Sequence, residues 1–178
     1  MSIRFQKVDR RSSVYGNVKK LYHTAFPKDE QVPFWFLMFR TRRDHVDFYS
    51  VFDEMKWVGF VYMAGYRDIT YVYYLAIDDR ERGSGYGSKI LKAVTEKYRD
   101  RRIILMIEPV DKNAGNYEER VRRKKFYEKN GFRDLNYTIV EKNVVYQALG
   151  YGEAVSKEEY YSMIKDYFGK ILFGVYYG

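Results

Sequence analysis

The chain has 178 residues, with 32 Lys plus Arg against 24 Asp plus Glu for a formal charge of +8; that is the length of one ordinary domain and a charge that favours anionic partners such as nucleic acid, a membrane surface or a phosphorylated cofactor. There is no Cys, and His23 and His45 are the two His, which removes disulfides, thiolate metal sites and a Cys nucleophile and leaves too few imidazoles for a three-His zinc, so no metal site is expected. No apolar run approaches the roughly 18 residues that cross a bilayer, and the start MSIRFQKVDRR lacks an apolar signal core, so a soluble cytoplasmic protein is expected.

Ile3 to Val8 alternates as a short strand does, and Val14 to Phe26 places Val14, Val18, Leu21, Tyr22 and Ala25 at helical spacing. Gln31 to Arg40 is apolar all round and reads as a short, heavily buried helix or an aromatic lid. From His45 the period becomes two. Val46 to Phe52, Trp57 to Tyr66 behind the turn Asp53-Glu54-Met55-Lys56, and Ile69 to Ile77 behind Arg67-Asp68 form an antiparallel meander. Ser88 to Tyr98 is an amphipathic helix, and Ile103 to Ile107 suits a strand covered on both faces. Tyr117 to Lys129 is a charged helix ending at the left-handed C-cap Asn130-Gly131, with strands following around Tyr137 to Val140 and Val144 to Leu149. Ser156 with Glu159 is a capping box opening a last helix through Phe168. These elements predict a mixed α/β fold in a single domain over residues 1–178, of which about 150–178 is a C-terminal extension.

The most informative stretch is Leu75-Ala76-Ile77-Asp78-Asp79-Arg80-Glu81-Arg82-Gly83-Ser84-Gly85-Tyr86-Gly87-Ser88, a buried strand feeding a Gly-rich turn that opens a helix. Gly83, Gly85 and Gly87 permit positive φ and leave N–H groups unshielded at a helix N-terminus, which makes a pyrophosphate cradle. The alternative is a turn that merely joins strand to helix. The spacing fits neither G-x-G-x-x-G nor a Walker A loop.

Arg82 to Gly87 resembles the R-x-x-G-x-G signature of the GNAT superfamily of N-acetyltransferases, and Phe126-Tyr127-Glu128-Lys129-Asn130-Gly131-Phe132 resembles its later helix, which carries a Tyr before a Gly-Phe strand start. The element order over about residues 1 to 149 is also that of the family; the final helix and Lys170 to Gly178 lie outside it. The resemblance implies the GNAT fold, a mixed and mostly antiparallel central sheet flanked by helices. It implies acetyl-CoA as co-substrate, with its pyrophosphate on the amides of Arg82, Gly83, Ser84, Gly85, Tyr86, Gly87 and Ser88. The pantetheine arm would lie along the backbone of Leu75, Ala76 and Ile77, where splayed strands leave an unpaired edge and a backbone N–H near Ala76 or Ile77 faces the thioester oxygen.

By the same resemblance Tyr127 is the acid that assists thiolate departure; the alternative is a core Tyr, one of twenty. Glu108, at the end of the Ile103 to Ile107 strand, is the candidate base for the incoming ammonium, the alternative being an ordinary charged strand end. Tyr71 and Tyr73 line an acceptor pocket or simply pack. Phe34, Trp35 and Phe36 shape the acceptor region or belong to the core.

Asp79 stands where the family often has Pro, and Arg120 and Arg123 stand where it often has Asn and a small residue. An Arg there either contacts the cofactor phosphates or pushes the cofactor aside. Arg120, Arg122, Arg123, Lys124 and Lys125 spread round their helix rather than forming one stripe, which argues against a nucleic-acid track. The expected activity is acetyl transfer from acetyl-CoA to a primary amine, with a homodimer left open. The competing readings are a non-catalytic acyl-CoA-binding module and a basic nucleic-acid-binding domain.

Overall fold

The computed structural model of the chain describes residues 2–169 and 173–174. Of the expected C-terminal extension, residues 170–172 and 175–178 lie outside the described residues. The elements are β1 (Ile3–Lys7), α1 (Tyr15–Ala25), α2 (Phe34–Arg40), β2 (Val46–Asp53), β3 (Lys56–Tyr66), β4 (Ile69–Ile77), a 3-10 turn (Asp79–Glu81), α3 (Tyr86–Lys97), β5 (Arg102–Ile107), α4 (Tyr117–Lys129), β6 (Arg133–Glu141), β7 (Val144–Tyr151) and α5 (Lys157–Phe168). The strands follow one another in the hydrogen-bonded order β1-β2-β3-β4-β5-β7-β6, a mixed α/β architecture in which β4–β5 is the parallel pair and β1–β2, β2–β3, β5–β7 and β6–β7 are antiparallel. Among the described residues no helix is long and apolar enough to cross a membrane. The chain divides into two compact units, Met1–Ala64 with Val72–Glu96, and Gly65–Tyr71 with Lys97–Gly178.

The core of the first unit is aromatic. Phe48, Phe60, Tyr62 and Tyr74 are buried on one sheet face, and Val18, Leu21 and Tyr22 of α1 with Phe34 and Leu37 of α2 are buried with them. Tyr22 sits edge-on to Tyr74 at 5.0 Å and against Phe34 at 5.5 Å, and its hydroxyl donates to the Val32 carbonyl at 2.7 Å, which satisfies the polar tip of an otherwise buried ring. Pro33 delays the start of α2, which is shorter than the apolar run suggested. Seven residues turn one face inward: Phe34, Phe36 and Leu37 are buried, whereas Trp35 and Phe39 are 66% and 51% exposed. The helix is therefore not buried all round. α3 begins at Tyr86, two residues before the expected Ser88, and turns Ile90, Leu91 and Val94 into the core.

The second unit is built on β5, whose Ile103, Ile104 and Leu105 are fully buried, as its unbroken apolar run requires. α4 buries no residue fully. It ends in a Schellman motif: Gly131 has φ 86°, its N–H donates to the Glu128 carbonyl at 3.0 Å, and the Phe132 N–H donates to the Tyr127 carbonyl at 3.1 Å. β6 starts at Arg133, ahead of the expected Tyr137, and its pairing with β7 shifts register between Asp134 and Thr138, where Asn136 has φ 59°. α5 opens with the expected capping box of Ser156 and Glu159 and buries Tyr160, Met163, Ile164, Tyr167 and Phe168. The Arg102 guanidinium clamps its start, pairing with Asp68 at 2.7 and 2.9 Å and with Glu159 at 2.8 and 3.0 Å.

Candidate active site

The glycine turn follows β4 in the first unit. The Asp78 carboxylate accepts from the Arg80 N–H at 3.0 Å and from the Arg80 guanidinium at 2.9 and 3.1 Å, which stops the strand and winds the 3-10 turn. Those bonds hold the Asp78 carboxyl below its ordinary value. Asp79, the departure from the family pattern, pairs with the exposed Arg82 guanidinium at 2.8 Å. Gly83 and Gly85 have φ 78° and 77°, the left-handed region expected for them, while Gly87 lies in the first turn of α3 without positive φ. A Cβ at Gly83 or Gly85 would meet no atom within 4 Å. Their glycine requirement is therefore one of conformation and open approach rather than packing.

The backbone amides of Gly83, Ser84, Gly85, Tyr86, Gly87 and Ser88 meet no acceptor among the described residues; the first amide after them, that of Lys89, donates to the Gly85 carbonyl at 3.3 Å. A row of unpaired donors at the positive end of a 12-residue helix is the local arrangement that receives a phosphate. Two neighbours of this turn were not singled out by sequence. The buried Tyr86 hydroxyl donates to the Asp53 carboxylate at 2.9 Å, and Lys56 pairs with Glu81 at 2.8 Å. Both come from a segment that reads only as a charged hairpin turn.

Upstream, Ala76 is buried and Leu75 and Ile77 are half-buried. In the parallel ladder of β4 with β5, Ile69 faces Arg102, Thr70 faces Ile103 and Tyr71 faces Ile104. Tyr71 is buried with its ring 5.7 Å from Tyr160. Tyr73 is half-buried, 4.9 Å from the Tyr74 ring.

In the second unit Glu108 follows the last residue of β5 and is at the centre of a polar cluster. One carboxylate oxygen accepts from Arg120 at 2.6 Å; the other accepts from Asn116 at 3.3 Å and Arg123 at 3.4 Å. Arg120 also donates to the Asn116 side chain at 2.7 Å and the Pro109 carbonyl at 3.1 Å, and Arg123 pairs with Glu119 at 2.5 Å. The two arginines that depart from the family pattern thus hold Glu108. Lys124 pairs with Asp134 at 3.2 Å, so three of the five cations in the basic run are already matched by carboxylates. Tyr127 is half-buried between Phe126 and Phe132, with ring centroids 5.1 and 5.8 Å away. Burial pushes its phenol above the ordinary value, against the opposing charge of Arg123.

A sequence model of the acetyltransferase (GNAT) domain matches residues 44–134, which span β2 to the start of β6 and hold the glycine turn, Glu108 and Tyr127. The match covers half of the chain, and the chain belongs to the GNAT acetyltransferase family. No curated protein sequence matches it. Among solved structures, a protein described as a GNAT-family acetyltransferase from Bacteroides thetaiotaomicron is similar with a TM-score of 0.75 at 24% identity, over 96% of this chain and 98% of that one. An aminoglycoside 6'-N-acetyltransferase complexed with coenzyme A is similar with a TM-score of 0.63 at 14% identity, over 88% of this chain and all of that one. The ribosomal-protein-S18-alanine N-acetyltransferase of Escherichia coli gives 0.58 at 13% identity, over 88% of this chain and 97% of that one. At these identities the likeness is one of fold.

Proposed function

We propose that the chain is an N-acetyltransferase that moves an acetyl group from acetyl-CoA to a primary amine by direct attack, as one domain over residues 1–178 working in the cytoplasm. The observation that carries this reading is the row of unpaired amides from Gly83 to Ser88 on the N-terminus of α3. They fit a pyrophosphate because each donor is oriented without a competing acceptor and the Gly side leaves the anion free to approach. The backbone of Leu75, Ala76 and Ile77, just upstream of the turn on β4, is where the amides of a pantetheine arm would pair.

Bound acetyl-CoA would supply a thioester carbonyl that a neutral amine attacks, the C–N bond forming as C–S breaks and CoA leaves as thiolate. In this chain Tyr127 donates its phenolic proton to that thiolate and is reprotonated as the nitrogen of the new amide sheds its second proton through solvent. Glu108 takes the proton that the ammonium must lose before it can attack. An N–H at Ala76 or Ile77 meets the carbonyl oxygen as negative charge builds on it. Among the similar proteins the acceptors differ, from aminoglycosides to a ribosomal-protein alanine, so the proposal stops at the chemical class of a primary amine.

One observation favours a second reading, a non-catalytic acyl-CoA-binding module: both oxygens of Glu108 are taken up by Arg120, Asn116 and Arg123. The two separate in a CoA-release assay over polyamines, aminoglycosides, amino acids and peptide N-termini. An acetyltransferase releases CoA in step with acetylation of at least one of these amines; saturable CoA binding with no release across the panel favours the binding module.

A further inference from the structure

We infer that Asp53 and Tyr86 are a positioning pair that holds the glycine turn in its anion-accepting conformation, so that the β2–β3 hairpin sets the affinity of the turn for a phosphoanion. The inference rests on the reading of Gly83 to Ser88 as a CoA cradle. Asp53 ends β2 and is 6% exposed. One of its carboxylate oxygens accepts from the Tyr86 hydroxyl at 2.9 Å, and the other is buried with no hydrogen-bond partner. A carboxylate taken out of water for a single bond is costly. The compensating gain lies in what that bond fixes.

Tyr86 is the first residue of α3 and stands between Gly85 and Gly87, so its amide lies in the middle of the unpaired row. Anchoring its ring anchors the amides on either side. Two residues of the same hairpin hold the turn at both ends. Asp53 grips Tyr86 downstream, and Lys56, which opens β3, pairs with Glu81 at 2.8 Å upstream. The ammonium groups of Lys56 and Lys89 stand 5.2 and 4.9 Å from the Tyr86 ring centroid. Gly83, Ser84 and Gly85, exposed and without contacts a Cβ could reach at either glycine, have little else to order them. Since an exposed ion pair such as Lys56–Glu81 contributes little, the buried Asp53–Tyr86 bond does most of the holding. A turn held in place before the ligand arrives spends less of the binding energy on ordering itself.

The test is calorimetric titration with CoA of the wild-type chain, Tyr86→Phe, Asp53→Asn and Asp53→Leu. Tyr86→Phe keeps the buried ring and loses only the donor; Asp53→Asn keeps an oxygen that accepts the same phenol. The expected result is a roughly tenfold weaker CoA affinity for Tyr86→Phe and Asp53→Leu, with Asp53→Asn restored to within about threefold of wild type. CoA binding by Tyr86→Phe within twofold of wild type overturns the inference. Hydrogen exchange of the Lys89 amide in the free protein supplies a readout independent of the ligand: it should quicken in Tyr86→Phe and return towards wild type in Asp53→Asn. Equal exchange in wild type and Tyr86→Phe overturns the pair even where Asp53→Leu fails to fold. A wild-type chain that binds no CoA overturns the cofactor reading instead, and the exchange rates still decide the pair.

Discussion

Gly59 in β3 packs so closely on Ala76 in β4 that a Cβ at position 59 would land on the Ala76 carbonyl oxygen and 3.1 Å from its carbonyl carbon. The obstacle is backbone, which cannot swing aside, and β3 carries a register shift beside it where Val51 and Phe52 oppose Gly59 and Trp57. Gly59→Ala is therefore expected to destabilise the fold by about 3 kcal/mol and to weaken CoA binding through displacement of the Ala76 backbone. Urea unfolding with parallel CoA titration reads both. A variant as stable as wild type would show that the contact relaxes freely.

Glu108→Gln keeps an oxygen for Arg120 and removes the charge shared by Arg120 and Arg123. If Glu108 takes the amine proton, acceptor KM rises or the acidic limb of the pH–rate profile shifts, while CoA affinity stays where it was. Kinetics identical to wild type from about pH 6 to 9 would return Glu108 to a purely structural place in its cluster.

Arg102 holds the carboxyl groups of Asp68 and Glu159 below their ordinary values of 3.8 and 4.5, chiefly through its hydrogen bonds to them. A depressed native value means that the unfolded chain binds protons first as the solution is acidified. The stabilisation is complete above the ordinary values and is lost as pH falls through the lower native ones. Arg102→Gln should be less stable than wild type at pH 7, and its stability should fall less steeply below about pH 4.5. Urea midpoints of the two proteins between neutral pH and pH 3 measure this; parallel curves would contradict it.

Where local rules decide structure, the sequence was readable. Ile69–Ile77 and Tyr117–Lys129 have the expected bounds, and Ser156 with Glu159 forms the expected capping box, because strand alternation, the Asn130-Gly131 stop and capping chemistry act over a few residues. The glycine turn was legible for the same reason. Hydrophobic periodicity does not mark the 3-10 turn at Asp79–Glu81, although Asp78 two residues before Arg80 is a usable sign. Partners distant in sequence were not legible: Glu108 with Arg120 and Arg123, and Asp53 with Tyr86 across 33 positions. Periodicity places these residues on elements but does not say which charged side chains meet when the elements pack. The exposure of Trp35 and Phe39 was hidden in the same way, since an all-apolar run does not mark which face turns outward.

Tyr127→Phe leaves the ring between Phe126 and Phe132 and removes only the hydroxyl. Fold and CoA affinity should survive, and the single-turnover acetyl-transfer rate should fall by roughly 10- to 1000-fold if the phenol assists the leaving thiolate, because an interaction that strengthens as charge builds on sulfur appears in the chemical step. A single-turnover rate within twofold of wild type would assign Tyr127 to the core.

Thermal unfolding with and without acetyl-CoA is the most direct test of whether the amides from Gly83 to Ser88 receive its pyrophosphate. A ligand that binds only the folded chain raises the melting temperature by mass action. A saturable rise with acetyl-CoA is expected in the wild-type chain and none in Gly85→Val, where a branched side chain at φ 77° strains the turn and screens the amides while the rest of the fold is retained. No rise for the wild-type chain at millimolar acetyl-CoA, or an equal rise in both proteins, would contradict it.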